Sequence, residues 1–216
     1  MEIALAWDAK PNERKFLPAA LCRIQVRRYA SHPPMTQPND VSELCLACGL
    51  CCDGTLFGDV ELQSKDDANL LKSLGLKIRS RGRPQFTQPC LALGSDCHCR
   101  IYGNRPTQCR SFECALLQSV LREQKSRAVA LRIIRKTRQQ ADRIRQLLRI
   151  LGDMHEDHSM AKRFQTVRRR MESPDTDSVL NWDQQLETFA DLTMAVHDLQ
   201  FTLRREFYPH PSDVPE

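Results

Sequence analysis

The sequence has little glycine and no long apolar run. Only eight of its 216 residues are glycine, and none of them builds the G-x-G-x-x-G loop with which many enzymes bind dinucleotide cofactors. No stretch approaches the ~20 consecutive apolar residues that a membrane span requires. These absences predict a chain that lies outside the membrane and has no glycine-rich cofactor loop.

The N-terminus also lacks the features of a secretory signal. M-E-I-A-L-A-W-D-A-K-P has a short apolar patch and no basic residues before it, whereas export signals begin with a basic region. We therefore expect a cytoplasmic location. In the reducing cytosol, closely spaced cysteines indicate metal or redox chemistry rather than structural disulfides.

Cysteine is abundant and concentrated. Nine of the ten cysteines lie between Cys45 and Cys114, and four of them fall within the eight residues C-L-A-C-G-L-C-C. Thiols this close cannot all form disulfides without strain, because a disulfide fixes the Cβ separation and the dihedral angle. A soft cation can bind them instead, since thiolate sulfur suits zinc and iron–sulfur iron. The cluster predicts a thiolate metal site.

The spacing of the first cysteines is compatible with two kinds of centre. Cys45 to Gly49 reads C-x-x-C-G, in which both sulfurs can reach one ion and the glycine permits a turn that directs backbone amides toward them. Cys45, Cys48 and Cys51 also match the C-x-x-C-x-x-C spacing of bacterial ferredoxins, whose fourth ligand comes from elsewhere in the chain. Zinc and an iron–sulfur cluster both remain open.

The order of the cysteine motifs resembles that of a known family. C-L-A-C-G-L-C-C, then P-C-L-A-L, then C-R-I-Y-G-N-R-P-T-Q-C-R-S-F-E-C is similar to the C-x-x-C-x-x-C-C, or YkgJ-type, cysteine cluster proteins, described as a zinc- or iron-chelating domain that also occurs in flagellin lysine methylases. The resemblance implies eight ligands: Cys45, Cys48, Cys51, Cys52, Cys90, Cys99, Cys109 and Cys114. Cys22 and Cys97 fall outside the pattern, and we expect both to be dispensable for metal binding.

Two arginines belong to the same resemblance. Guanidinium groups at Arg105 and Arg110 would offset the negative charge of a four-thiolate site if they lie beside it. Sulfurs that share one ion must also lie within about 4 Å of each other. Adjacent Cys51 and Cys52 point apart in an extended chain, so they either face different sites or share one through a turn.

The motifs divide the chain into regions. We expect an N-terminal extension with a proline-rich linker over residues 1–40, a cysteine-cluster domain over 41–115, a helical hairpin region over 116–208 and a tail over 209–216. Apolar residues at three- to four-residue steps predict one long helix over 115–151, a second near 159–171 and a third over about 178–208. The fold class is thus α+β and predominantly helical: a small metal-dependent domain followed by a long antiparallel hairpin.

The insert between the cysteine motifs, residues 53–89, carries weaker patterns. Alternating Val60 and Leu62 predict an extended piece. A helix of about ten residues should follow, with Ser64 as its N-cap and Gly75 as its C-cap.

Charge is segregated in the C-terminal half. Residues 118–170 carry a net charge of +10 and residues 171–216 carry −8, within a total of +5. A basic helix packed against an acidic one would explain this segregation without a ligand. A nucleic acid or an acidic partner at the basic helix is the alternative, which we favour less.

Two histidine positions invite a metal interpretation. His98 lies between Cys97 and Cys99, but strand-like alternation would turn it away from them. His155 and His158, in H-E-D-H, could bind a divalent ion at a helix end. A solvated loop between helices is the preferred interpretation of H-E-D-H.

The sequence therefore predicts a metal-binding protein whose eight cysteines hold zinc or iron, with an iron–sulfur cluster as one form. No residue is assigned a catalytic role. An iron–sulfur-dependent methyltransferase-like enzyme and a nucleic-acid-binding module led by the basic helix are the alternatives from other functional classes. No protein partner is indicated.

Overall fold

A computed structural model describes residues 40–80, 82–172 and 182–208 of the chain. Predictions for Cys22, the N-terminal extension, the start of the third predicted helix and the tail lie outside these residues. The helices are α1 Asp40–Cys48, α2 Ala68–Ser73, α3 Thr107–Ser111, α4 Ala115–Leu121, α5 Arg127–Ile150, α6 Met160–Glu172 and α7 Trp182–Glu206, and Tyr102–Asn104 forms a 3-10 turn. Two short strands, β1 Asp59–Glu61 and β2 Gln85–Thr87, pair antiparallel. The prediction of an α+β, predominantly helical fold is confirmed.

The larger hydrophobic core is built by the helices. Along α5, Ile134, Ala141, Ile144 and Leu148 are buried at steps of seven, three and four residues, which places them on one face. They pack chiefly against α7, where Leu192, Val196, Leu199 and Leu203 are buried, and against Phe207, which follows that helix. Residues of α1, α4 and α6 complete the core. Leu44, Leu50 and Leu56 of the cysteine region belong to the same core, so this core extends across position 115.

The smaller core lies under the sheet. Val60 of β1 faces Phe86 of β2, and both pack with Leu71, Leu76 and Ile101. A two-stranded sheet is marginally stable alone. This part of the chain needs support beyond its own apolar contacts.

The insert forms the predicted elements with a different helix start. Residues 59–61 are extended as expected, but Asp67 rather than Ser64 caps α2, since its carboxylate accepts hydrogen bonds from the amides of Asn69 and Leu70 at 2.9 Å. Gly75 follows the helix with a positive φ of 93°, a conformation that glycine adopts at low cost. The helix is shorter than predicted because its cap lies three residues later.

The long helix predicted over 115–151 is two helices, which corrects that prediction. α4 ends at Leu121, and Glu123 adopts a left-handed φ of 58°. The amides of Gln124 and Lys125 then donate to the carbonyl of Ser119. Ser126 restarts the helix by accepting a hydrogen bond from the amide of Val129. Apolar spacing alone did not reveal the break, because the stripe continues across it.

The predicted second helix is confirmed as α6, and α7 lies within the predicted third helix. α5 and α7 share the most extensive helix contact. The hairpin prediction requires many ion pairs between these two helices. In the part of the chain that is described they share one, between Arg143 and Asp191, at 3.8 Å on the surface. No described helix has the combination of length and apolarity that crossing a membrane demands.

Candidate metal centre

The eight predicted cysteines form two groups of four. In the first thiol group, electrostatic interactions connect Cys45 with Cys114, Cys48 with Cys45 and Cys114, and Cys51 with all three. Cys51 also interacts with its chain neighbour Cys52. In the second thiol group, Cys52 interacts with Cys90, Cys99 and Cys109, and Cys109 interacts with Cys90 and Cys99. All eight are free thiols.

The packing supports the same division. Cys48, Cys51 and Cys114 pack against the larger core, whereas Cys90, Cys99 and Cys109 pack against the smaller core under the sheet. The two groups meet at the peptide bond between Cys51 and Cys52. The second cysteine motif folds back onto the first, since Cys114 interacts with Cys45 and Cys48.

The first thiol group combines one helix end with another helix start. Cys45 and Cys48 lie on α1, three residues apart, and Cys51 follows in the turn. Gly49 ends the helix with a φ of 67° and donates from its amide to the carbonyl of Cys45 at 3.2 Å. Cys114 is the N-cap of α4, and its sulfur accepts a hydrogen bond from the amide of Leu117 at 3.4 Å. The group therefore links α1 to α4.

The cysteines of the second thiol group come from separate parts of the chain. Cys52 leaves the turn, and its carbonyl accepts a hydrogen bond from the amide of Cys90 at 2.8 Å. Cys99 lies in an isolated bridge with Leu93, and Cys109 lies on α3. The group thus joins elements up to 57 positions apart in the chain.

Cys51 and Cys52 belong to different groups because of the turn that holds them. The amides of Cys52 and Asp53 both donate to the carbonyl of Gly49, at 2.9 and 3.0 Å. Successive side chains leave this turn in different directions, toward the larger core at Cys51 and toward Cys90 at Cys52. This arrangement favours the prediction that the two cysteines face different sites, which stays a prediction.

A cavity of about 130 Å³ lies between the two cores, and all eight thiols line it. Leu44, Leu56, Phe57 and Phe112 provide part of its apolar wall. Cys97 also lines this largely apolar cavity. This donor set suits a soft cation, because thiolate is the ligand such ions prefer.

Burial sets the protonation of the thiols. It raises the pKa of Cys48, Cys51 and Cys52 well above the usual 9.0, and neighbouring thiols add to the rise. It raises the pKa of Cys109 to about 12. Cys45 is exposed at the surface, yet partial burial of its thiol and repulsion from Cys114 still raise its pKa. Without a cation, these sites hold protons.

Backbone amides oppose this effect at three of the cysteines. The amide of Leu50 lowers the pKa of Cys48, the amides of Ala92 and Leu93 lower that of Cys90, and those of Leu116 and Leu117 lower that of Cys114, each against the larger effect of burial. N–H groups directed at sulfur stabilise the thiolate. The predicted turn that directs amides toward the cysteines is therefore present.

The sulfurs stand further apart than one shared ion requires. Among the described residues, no three cysteine sulfurs all lie within 4.8 Å of one another, whereas sulfurs at ~2.3 Å from one tetrahedral ion would lie within about 4 Å. A shared ion would therefore require loss of the thiol protons and movement of the sulfurs toward one another.

Of the two arginines predicted beside the thiolates, Arg105 is the one that acts on them. Its charge lowers the pKa of Cys45 and of Cys109, one thiol from each group. Its guanidinium lies 3.7 Å from the centre of the Tyr102 ring and lines the cavity. Arg110 instead lies 3.9 Å from Asp66 and donates to the hydroxyl of Thr107 at 3.4 Å.

Two residues near the groups have other surroundings. His98 faces Asp96, with 3.4 Å between Nδ1 and Oδ2. Cys97 has a left-handed φ of 65°, and its sulfur accepts a hydrogen bond from Arg138 at 3.1 Å. Neither is a member of the two groups, and the dispensability of Cys97 stays a prediction.

The contacts between α5 and the cysteine turn were not predicted. Arg138 donates to the carbonyls of Ala47 and Cys48 at 3.1 and 3.2 Å. Arg145 donates to Asp53 at 2.8 Å and to the hydroxyl of Thr55 at 3.1 Å. The two are seven positions apart and so share a helix face. This spacing is the one signal that could have singled them out among the arginines of α5.

Comparison with known proteins agrees with the cysteine pattern. Residues 44–141 match the CxxCxxCC family model, described as "Putative zinc- or iron-chelating domain". The match covers just under half of the chain and includes much of α5. No curated protein and no solved structure matches the chain.

Proposed function

From the match of residues 44–141 to the CxxCxxCC family model, we propose that the protein binds two metal centres, one in each thiol group. Cys45, Cys48, Cys51 and Cys114 would hold the first, and Cys52, Cys90, Cys99 and Cys109 the second. Zinc or iron is the metal, in line with the description of the family.

The observation that supports the proposal is the division of eight free thiols, seven of them partly buried, into two sets of four. Four thiolates complete the tetrahedral coordination of zinc and also the ligand set of a [4Fe–4S] cluster. A chance cluster of buried cysteines would not supply four donors at each of two places.

The role of both centres is structural in this proposal. The first would tie α1 to α4, and the second would tie the turn, the loop after Pro89 and α3 around the small sheet. Closed four-thiolate coordination leaves no position for a substrate, so it does not suit hydrolytic chemistry. Metal binding would supply the stability that the smaller core lacks.

Anaerobic purification, followed by elemental analysis and an absorbance spectrum, would identify the metal. We expect either two zinc ions in colourless protein or iron with sulfide and a brown chromophore near ~400 nm. Metal-free protein that is fully folded and binds neither zinc nor iron on reconstitution would contradict the proposal.

The two-centre arrangement is tested at the adjacent cysteines. Cys51→Ser should lose the first centre and keep the second, and Cys52→Ser should do the reverse. Cys97→Ser is the matched control and should keep both. Cobalt substitution reports the result, since each lost thiolate lowers the sulfur-to-cobalt absorption. Equal metal content in Cys51→Ser, Cys52→Ser and the parent protein would refute the assignment.

A further inference from the structure

The turn between α5 and α6 brings three metal-binding side chains together. One ligand atom each from His155, Asp157 and His158 lies within 4.8 Å of the other two. The two imidazole rings are stacked, with centroids 5.3 Å apart and planes inclined by 17°. The sequence favoured a solvated loop here, and the side chains are more organised than that interpretation implies.

Hydrogen bonds on both sides hold the turn in place. Asp153 is buried and accepts from Arg163 of α6 at 2.6 Å, and Glu156 accepts from Arg149 of α5 at 2.5 Å. Within the turn, the amide of His158 donates to the carbonyl of His155 at 3.0 Å. Two of the three acids in the turn are therefore committed to arginines, and their positions fix the segment between them.

Asp157 is the third acid, and no arginine is paired with it among the described residues. One oxygen of Asp157 and one of Asp153, each Oδ1, are buried and have no hydrogen-bond donor in the described part of the chain. A buried acceptor left without a donor is unfavourable, because it has lost its hydrogen bonds to water. A cation at Oδ1 of Asp157 would remove that cost.

We propose that His155, Asp157 and His158 form a separate site for a divalent transition-metal ion such as zinc or cobalt. Two imidazole nitrogens and one carboxylate oxygen are a ligand set that these ions accept. Three protein ligands leave an open position, in contrast to the closed thiol groups. The site is independent of the proposed thiolate centres, because it shares no ligand with them.

The charge of Lys162 provides a way to test whether a cation binds at this site. The ammonium nitrogen of Lys162, on α6, lies 3.2 Å from Nε2 of His158, which precedes that helix. A positive charge this close opposes binding of a second cation. Removal of the charge should therefore strengthen metal binding, whereas a merely structural histidine pair would show no such response.

The test uses the full chain with its thiol groups already filled with zinc. After excess metal is removed and the zinc content measured, Co²⁺ is titrated by calorimetry and absorbance. We expect one further equivalent with a weak visible spectrum and no sulfur-to-cobalt absorption. His155→Ala and Asp157→Asn should each weaken this binding at least tenfold, and Lys162→Met should strengthen it several-fold. His98→Ala, which removes another histidine beside an acid, should leave it unchanged.

Three results would overturn the site: no further equivalent of cobalt, a further equivalent that survives in His155→Ala and Asp157→Asn, or a spectrum with thiolate absorption. The zinc content measured before the titration reports on the thiol groups separately. A failure of this inference is therefore distinguishable from a failure of the proposed function.

Discussion

At the residue scale, Arg105 serves both thiol groups. Its guanidinium is held over the Tyr102 ring, and its charge favours the thiolates of Cys45 and Cys109 at once. Two ions with eight thiolates would carry a charge of −4, so a shared cation beside them reduces their mutual repulsion. Arg110 pairs with Asp66 instead and provides a control of the same chemical type.

Replacement of Arg105 should weaken metal binding. For Arg105→Gln we expect a loss of about 1 kcal/mol, or roughly fivefold in affinity, because the side chain is partly exposed and solvent screens its charge. Competition with a chromophoric chelator measures the affinity. Arg110→Gln should change it by less than about twofold, and equal losses in the two variants would refute the distinction.

Gly54 occupies a position where the backbone conformation and a close contact both require glycine. Its φ is 81°, and an added Cβ would lie 3.0 Å from Cα of Ser159. Its carbonyl accepts a hydrogen bond from the amide of Met160, the first residue of α6, at 3.0 Å. The close approach joins the cysteine turn to α6 without room for a side chain.

Gly54→Ala should lower the free energy of unfolding by about 2–3 kcal/mol, from left-handed strain and backbone displacement together. Gly75→Ala is the control: its φ is 93°, but an added Cβ meets nothing within 4 Å. We expect about 1 kcal/mol there, from strain alone. Urea unfolding of the metal-loaded proteins measures both, and a smaller loss at Gly54 than at Gly75 would contradict the close contact.

At the scale of elements, α5 supports the cysteine turn as well as the helical core. Its apolar face packs on α7, while Arg138 and Arg145 reach the residues around Cys48 and Asp53. Arginines of the basic segment thus bind groups in the cysteine region, and they form fewer ion pairs with α7 than the sequence led us to expect. Exposed Arg132, Arg135 and Lys136 remain on α5, and nucleic-acid binding through them stays a prediction, as does methyltransferase-like activity.

Arg145→Met should destabilise the protein through the turn. The variant leaves Asp53, whose side chain is 23% exposed, without its ion pair and buried Thr55 without its donor. Removing one partner of such a pair costs about 2 kcal/mol after allowance for this exposure. Metal affinity should fall as well, because the turn carries Cys51 and Cys52.

Arg143→Met is the control on the same helix. Its pair with Asp191 is 3.8 Å long and exposed on both sides, so we expect a change below about 0.5 kcal/mol. Urea unfolding and elemental analysis cover both variants. Similar effects at the two positions would show that α5 does not support the turn through Arg145.

At the scale of the whole molecule, the raised pKa values link metal binding to pH. Burial raises the pKa of Cys48, Cys52 and Cys109 above 9.0, so the metal-free folded protein retains protons that the unfolded chain would release. Its stability is complete below about pH 9 and declines as pH rises through the folded-state values. Metal binding has the opposite dependence, because it requires the thiolates.

We therefore expect the apparent metal affinity to rise with pH and to continue rising above pH 9. For exposed thiols the rise would level off near pH 9, where they are already ionised. Competition titrations from pH 7 to 10.5 measure the curve. A plateau at pH 9 would show that the thiols of the metal-free protein are not buried.

Several features follow from the sequence alone because they depend on neighbouring residues. Spacing brings Cys45, Cys48 and Cys51 onto adjacent turns, and Gly49 provides the left-handed residue that ends α1. Apolar periodicity placed α6 within one residue at each end and placed α7 inside its predicted range. The break at 122–126 was missed because the apolar stripe runs through it and Ser126 did not stand out as a cap.

The tertiary structure decided which distant residues meet. Eight cysteines can be divided into two sets of four in many ways, and local spacing does not choose among them. The choice depends on how the insert that contains β1 and β2 folds. Its fold brings Cys90, Cys99 and Cys109 close to Cys52, while Cys114 lies at the start of α4 near Cys48. Likewise, nothing local assigns Arg138 and Arg145 to the cysteine turn, because their partners lie about 90 positions earlier in the chain. Such contacts are fixed by the packing of the two cores, which is a property of the whole chain.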